Sequence, residues 1–259
     1  SSYHYLAKIQ EADRNLMIRL QKAQNTYKDQ KVEQEDLAQK LAEQKKLLDV
    51  QKAAKAQLLA VTKNDEAKYQ QLLSAAKSQL RAFSRFVSSQ GGASILSNQT
   101  KCDGWGCYYN QRDSQWGNMA IGNSDSSMAQ YGCLVTSVAM VATHYGRGTK
   151  PSDIAASTSP FFSNTAYMLF SWSGAGINVV RTGVSVSEAN IDSEINAGRP
   201  VIVGLYGTWS EPEHFIVIKS KDSRGYIMYD PFLENGGDRP LTDKYSFSNI
   251  VRIDKVTIN

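Results

Sequence analysis

No glycine and no proline occurs in the first 90 residues, whereas all 18 glycines and all 6 prolines lie in residues 91–259. A stretch this long without a backbone breaker, rich in Ala, Leu, Lys, Gln and Glu, is predicted to be helical throughout. Alternating steps of four and three from Leu16 meet Leu20, Ala23, Tyr27, Gln30, Gln34, Leu37, Leu41, Gln44 and Leu48, which is a heptad seam. Tyr69, Leu72, Ala76, Leu80, Phe83 and Val87 form a second stripe. Between the two, "TKNDEAK" (62–68) supplies N-cap residues at which a second helix can begin. The expectation is a coiled coil over residues 1–90, bent or folded as a hairpin. Its narrow apolar stripe needs cover from its own second arm, a twin chain or another protein.

Charge divides at the same place. Residues 1–90 hold 16 Lys plus Arg against 10 Asp plus Glu; of the totals of 29 and 25 this leaves 13 against 15 for the remainder. The basic residues are interleaved with Glu, Asp and Gln and form no contiguous patch with aromatics, so nucleic acid is not an expected partner. No apolar run approaches the roughly 20 residues needed to span a bilayer. The chain starts at Ser1 with no initiator Met and no signal-peptide core, which fits a removed or trimmed targeting segment and decides nothing alone. The Gly- and Ser-containing stretch 91–104 is expected to be a flexible linker, with a second domain over 105–259.

In that second domain the texture changes to short alternating runs, "NVVRTGV", "RPVIVGLYG", "HFIVIKS" and "GYIMYDPF", which are predicted strands. Helical spacing appears in 132–145 and in 188–197, where Ser and Glu open the segment and Gly198 closes it. The expected fold class is therefore α+β.

Cys133 stands directly after Gly132 at the head of the first of these helices. There the unpaired backbone N–H groups and the helix dipole favour a thiolate. A buried cysteine can equally be a small hydrophobe starting a core helix. Histidine favours the nucleophile without closing the alternative, because only three are present and two can be argued out. His4 lies in the N-terminal helix, and His144 is eleven residues beyond Cys133 on one helix, about 16 Å away at 1.5 Å per residue. His144 is better placed to favour an imidazolium at that helix's C-terminus. His214 remains. If "SKDSRG" (220–225) turns between Asp222 and Ser223, the two flanking strands pair with His214 opposite residue 231 and diagonal to Asp230. Asp230 can then fix the imidazole tautomer and stabilise its cation. "WSEPE" (209–213), just before His214, is a candidate substrate-facing lip.

Four blocks in this order, "YYNQRDSQWG" (108–117), "YGCLVTSVAM" (131–140), "HFIVI" (214–218) and "MYDPF" (228–232), resemble the papain-like cysteine peptidases of the bacteriocin-processing, double-glycine-peptidase-like family. The resemblance covers about residues 105–256. It implies a Cys-bearing helix packed on an antiparallel sheet, with Cys133 as nucleophile, His214 as general base and Asp230 as the orienting carboxylate. It also implies that Gln111 contributes its side-chain amide to the oxyanion site. No metal or other cofactor is expected. The family's processing members are fused to membrane exporters, and this chain has neither a span nor a phosphate-binding Gly-rich loop. A coiled coil ahead of a cysteine hydrolase instead is similar in architecture to bacterial cell-wall hydrolases. The expected substrates are thus peptide bonds of surface proteins or peptidoglycan, with a protein partner or self-association through the coiled coil. The rival expectation is a papain-like binding module that is catalytically restrained. Cys102 and Cys107, separated by four residues in "CDGWGC", allow a tight disulfide loop of the kind found outside the cytosol. A secreted or envelope location in a bacterium follows from that expectation.

Overall fold

The computed structural model describes residues 2–62 and 65–259. It divides into two compact units, Ser1–Lys52 and Ala53–Asn259. The first helix, α1, runs Ser2–Thr62, as the absence of breakers predicts. Within the first unit the seam residues Leu16, Leu20, Leu37, Leu41 and Leu48 are all exposed. Pairs one turn apart, such as Lys40 with Asp36 at 2.6 Å, line the same helix. They contribute only a few tenths of a kcal/mol each, about 0.3–0.5.

Helix α2 (Glu66–Ser89) opens the structured part of the second unit beyond α1. Its N-cap is Asp65, whose Oδ1 accepts from the backbone N–H groups of Ala67 and Lys68 at 2.9 and 3.2 Å. This is the N-cap expected in "TKNDEAK"; residues 63 and 64 of that stretch lie outside the described residues. The apolar stripe of α2 does find cover. Ala76, Phe83 and Val87 are buried, and Tyr69, Leu72 and Leu80 pack partly buried against the main core. The covering surface is the body of this domain, so α2 belongs with the domain rather than with an isolated coiled coil.

The stretch expected to be a flexible linker is tied down. Leu96 N–H donates to the Arg112 carbonyl at 2.9 Å, and Ser114 N–H donates to the Leu96 carbonyl at 2.7 Å. Strands β1 (Lys101–Cys102) and β2 (Cys107–Tyr108) pair as a short ribbon, and Cys102 and Cys107 form a disulfide across it. Gly91 and Gly92, both at positive φ, turn the chain out of α2, their N–H groups donating to the Ser88 and Val87 carbonyls at 3.1 and 2.9 Å.

Helices α3 (Met128–Tyr131), α4 (Cys133–His144) and α5 (Pro151–Ala156) follow. Then come β3 (Ser171–Gly174), β4 (Ile177–Val184), α6 (Glu188–Asn196), β5 (Val201–Gly207), β6 (Pro212–Asp222), β7 (Gly225–Tyr229), β8 (Arg239–Pro240) and β9 (Ile250–Ile258). Strands β3 to β9 make one antiparallel sheet in the order β3-β4-β9-β5-β6-β7-β8. Alternation along β5 and β6 sends Ile202, Phe215 and Val217 to the face covered by α2 and α4, and Val203, Ile216 and Ile218 to the face covered by α6. All four predicted strands are present. β9, which fills the middle of the sheet, is not among them; its Arg252 and Asp254 are buried where alternation would lead one to expect apolar residues.

Candidate active site

Gly132 starts α4 because the chain turns tightly from α3 there. A Cβ at this position would stand 2.5 Å from the Met128 carbonyl oxygen, so a side chain would displace the turn. Cys133 follows in the first turn of α4, which packs against β6, and the residue is 3% exposed. The amides of Phe215, Leu134 and Cys133 itself approach the sulfur and favour its anion, yet burial outweighs them and pushes the thiol up to about 12. The depressed thiol expected at a helix N-terminus is therefore reversed here. The helix end is present, but water is excluded from it.

The imidazole–carboxylate pair forms as expected. His214, on β6, places Nε2 2.9 Å from Asp230 Oδ1, with both side chains buried. Asp230 is held below the ordinary carboxylate range. Burial, the largest influence, raises it, but His214, the Tyr245 hydroxyl and the Phe232 amide together more than offset that. An ionised carboxylate only accepts, so Nε2 carries the proton in that bond. In the neutral ring, Nδ1 is then a bare lone pair. It is buried and has no hydrogen-bond partner among the described residues, Cys133 included.

The route to that pair differs from the one expected. The β6–β7 turn is centred on Ser223 and Arg224, with Asp222 opposite Gly225, and Val217 pairs with Tyr229 across a bulge between Ile218 and Ser220. Continued, this register sets His214 opposite 232, one place further than expected, and β7 has already ended. Asp230 reaches the ring from the loop after β7. That loop is pinned from the opposite side of the domain: Tyr108 Oη lies 3.0 and 2.9 Å from the Asp230 and Leu233 carbonyls. The Gln111 amide donates to the Pro231 carbonyl at 2.7 Å, and Arg112 Nε donates to the Phe232 carbonyl at 3.0 Å. Gly236 fits there because a Cβ would meet the Asp230 carbonyl and the Tyr108 hydroxyl. The "YYNQR" block thus positions the Asp230 loop.

Gln111 itself is buried. Its Nε2 donates to the Ala129 carbonyl at 2.8 Å, in the helix just ahead of Cys133, while Oε1 has no partner among the described residues. His144 stands apart, as expected, at the far end of α4. Nδ1 and Nε2 lie 3.0 and 2.9 Å from the Trp105 and Gly198 carbonyls.

Two functional neighbours escaped the sequence reading. The Tyr245 hydroxyl donates to Asp230 Oδ2 at 2.7 Å, from a short turn before β9 with no local signature. Phe86 of α2 lies flat on the His214 ring, centroids 4.1 Å apart and planes 4° apart. Its place three residues after Phe83 on one helix face was the available signal.

The structure thus places a thiol at a helix start and bonds the His214 imidazole to the Asp230 carboxylate. The family model described as "Peptidase_C39 like family" matches residues 107–251, more than half of the chain, and the protein belongs to that family. No curated protein matches it.

Proposed function

We propose that this protein is a papain-like cysteine hydrolase that cleaves peptide or amide bonds through Cys133, His214 and Asp230, with Gln111 on the oxyanion. The observation that carries this reading is the buried, unpartnered Nδ1 of His214, whose other nitrogen is committed to Asp230. In the reaction, Cys133 Sγ attacks the carbonyl carbon as its proton passes to His214 Nδ1. The Cys133 backbone N–H and the Gln111 amide stabilise the oxyanion; one such donor contributes on the order of 10²–10³ in rate. The imidazolium then gives its proton to the leaving amine as the C–N bond breaks. A water, deprotonated by the same nitrogen, hydrolyses the thioester and restores the thiol.

The substrates we propose are peptides of surface proteins or of peptidoglycan, in a secreted or envelope-bound bacterial enzyme. The Cys102–Cys107 disulfide supports an oxidising compartment. Among the described residues no helix is long and apolar enough to cross a membrane. The exposed seam of α1 supports docking to a protein partner or to a second copy.

A second reading has its own support. Phe86 covers the His214 ring, the Cys133 thiol is held protonated, and no hydrogen bond joins the two, which together describe a restrained site. The deciding experiment incubates full-length protein, Phe86→Ala and Cys133→Ala with purified sacculi and with an unfolded protein, and identifies new termini by mass spectrometry. Cleavage by either of the first two and none by Cys133→Ala is expected. Cleavage by Phe86→Ala alone identifies the restrained form. Absence of products from both would replace the hydrolase with a binding module.

A further inference from the structure

A second cluster of buried charge lies near the Cys133 and His214 segments and takes no part in the proposed chemistry. Arg181 on β4 and Arg252 on β9 flank Asp254, with Arg181 Nη1 2.6 Å from Oδ2 and Arg252 Nε 2.7 Å from Oδ1. All three are buried. Two guanidinium groups against one carboxylate leave a net positive charge out of water, an arrangement that is costly unless something else accepts from it. The remaining donors are only partly used. Arg181 Nη2 reaches the Met168 carbonyl at 3.2 Å, but Arg181 Nε and Arg252 Nη2 are buried with no partner among the described residues.

These two arginines line a cavity whose other walls include Leu134 and Phe215, the chain neighbours of Cys133 and His214. Phe170 lies against both guanidiniums, 4.8 and 4.6 Å from its ring centre, and Trp209 lies 4.7 Å from Arg252. Such stacking holds the planar groups in a fixed orientation while leaving their edges free to donate. Helix α2 supplies the cover: Gln79 and Phe83 line the same cavity, and Gln79 Nε2 donates to the Pro212 carbonyl at 2.5 Å.

We propose that Arg181 and Arg252 form a carboxylate-binding subsite beside Cys133, which selects substrates carrying a negative charge near the scissile bond. The subsite rests on the cysteine-hydrolase reading proposed above and narrows its substrate class to anionic peptides. One unpartnered N–H nitrogen remains on each arginine, and a carboxylate has two charged oxygens to offer them where a neutral amide has one uncharged oxygen. The charge comes from an acidic side chain or from a free C-terminus. In the present state α2 closes the subsite, so its occupant must displace the Gln79–Phe83 turn.

Binding to catalytically silent protein tests this independently of hydrolysis. Three matched probes are titrated calorimetrically into full-length Cys133→Ala and Cys133→Ala/Phe86→Ala: Ac-Ala-Ala-Glu-Ala-Ala-NH2, its Gln counterpart, and that Gln peptide with a free C-terminal carboxylate. At least one carboxylate probe should bind about tenfold or more tightly than the neutral one in one background, as expected for a charge-assisted hydrogen bond. Which probe wins identifies the source of the charge. Adding Arg252→Gln should bring the three within about twofold, while Arg252→Lys should keep part of the preference because the charge remains. Circular dichroism confirms that each variant is folded. Equal or absent binding of all probes in both backgrounds, or a preference that survives Arg252→Gln, overturns the subsite. Wild-type cleavage of sacculi or protein would leave the cysteine hydrolase standing even then.

Discussion

Helices α1 and α2 are made of the same residues and end differently. Both lack Gly and Pro, both are rich in Ala, Leu, Lys and Gln, and both carry an apolar stripe. In the first unit Leu16 and Leu41 are 57% and 67% exposed, while on α2 Phe83 and Phe86 are each 3% exposed. The α1 seam is one leucine wide and is diluted by Gln30, Gln34 and Gln44. The α2 face is broader, adding Gln79, Ala82 and Phe86 to the expected stripe, and its rings meet other rings: Phe83 stands edge-on to Phe215, and Phe86 lies on His214. Periodicity therefore says that a face can be buried; width and aromatic content say how well a given surface will hold it. On α2 the surface held is the candidate active site.

The contrast can be broken most directly at Phe83. Phe83→Ala should cost about 3–5 kcal/mol in urea unfolding of the second unit, because its ring fills core space that cannot collapse. A loss under 1 kcal/mol would mean that α2 rests loosely on the domain. Phe86→Ala should act on reactivity instead. Alkylation of Cys133 by iodoacetamide at pH 7 should rise about tenfold as water reaches a thiol that burial had pushed up to about 12. An unchanged rate would separate the stacked ring from any restraint of the site.

Acid should separate the two units. Glu194, mostly buried, is lowered to about 2 first by its bond to Arg199, with Lys255 adding to it. A carboxyl depressed in the folded state stabilises above its unfolded value. That stability is lost as pH falls from about 4.5 towards 2, and because both partners are half-exposed it amounts to only about 1 kcal/mol. Near-UV signals of the second unit should weaken over that window, and Glu194→Gln should remove its share of the dependence, leaving that of Asp230. The smallest effect belongs to α1. Leu20→Ala should change the second unit's stability by no more than about 0.5 kcal/mol, and a larger change would reveal cover that the exposed seam does not show.

Much of the site was legible because its signals are local. Cys133 follows a glycine into a helix, and His214 and Asp230 flank one hairpin, so elimination and turn geometry brought them together. The register was off by one residue: the turn is centred on Ser223 and Arg224, later than expected, and the bulge between Ile218 and Ser220, which leaves no mark in composition, takes back half of that shift. Tyr245 was invisible for a different reason: its bond to Asp230 spans a turn and depends on where the 241–249 segment crosses the sheet. β9 was obscured by its own chemistry, because Arg252 and Asp254 read as surface residues until Arg181 is set beside them.

By itself the sequence determined the long breaker-free helix, the α+β character of the remainder and the order in which thiol, imidazole and carboxylate occur along the chain. These follow from backbone propensity and short-range spacing, which act within a few residues. Only the tertiary structure decided that α2 lies over the imidazole, that burial raises the thiol instead of the helix end lowering it, and that two arginines line a cavity with donors to spare. Each of those depends on which distant surfaces exclude water from one another, and exclusion of water is a property of the packed chain, not of any segment.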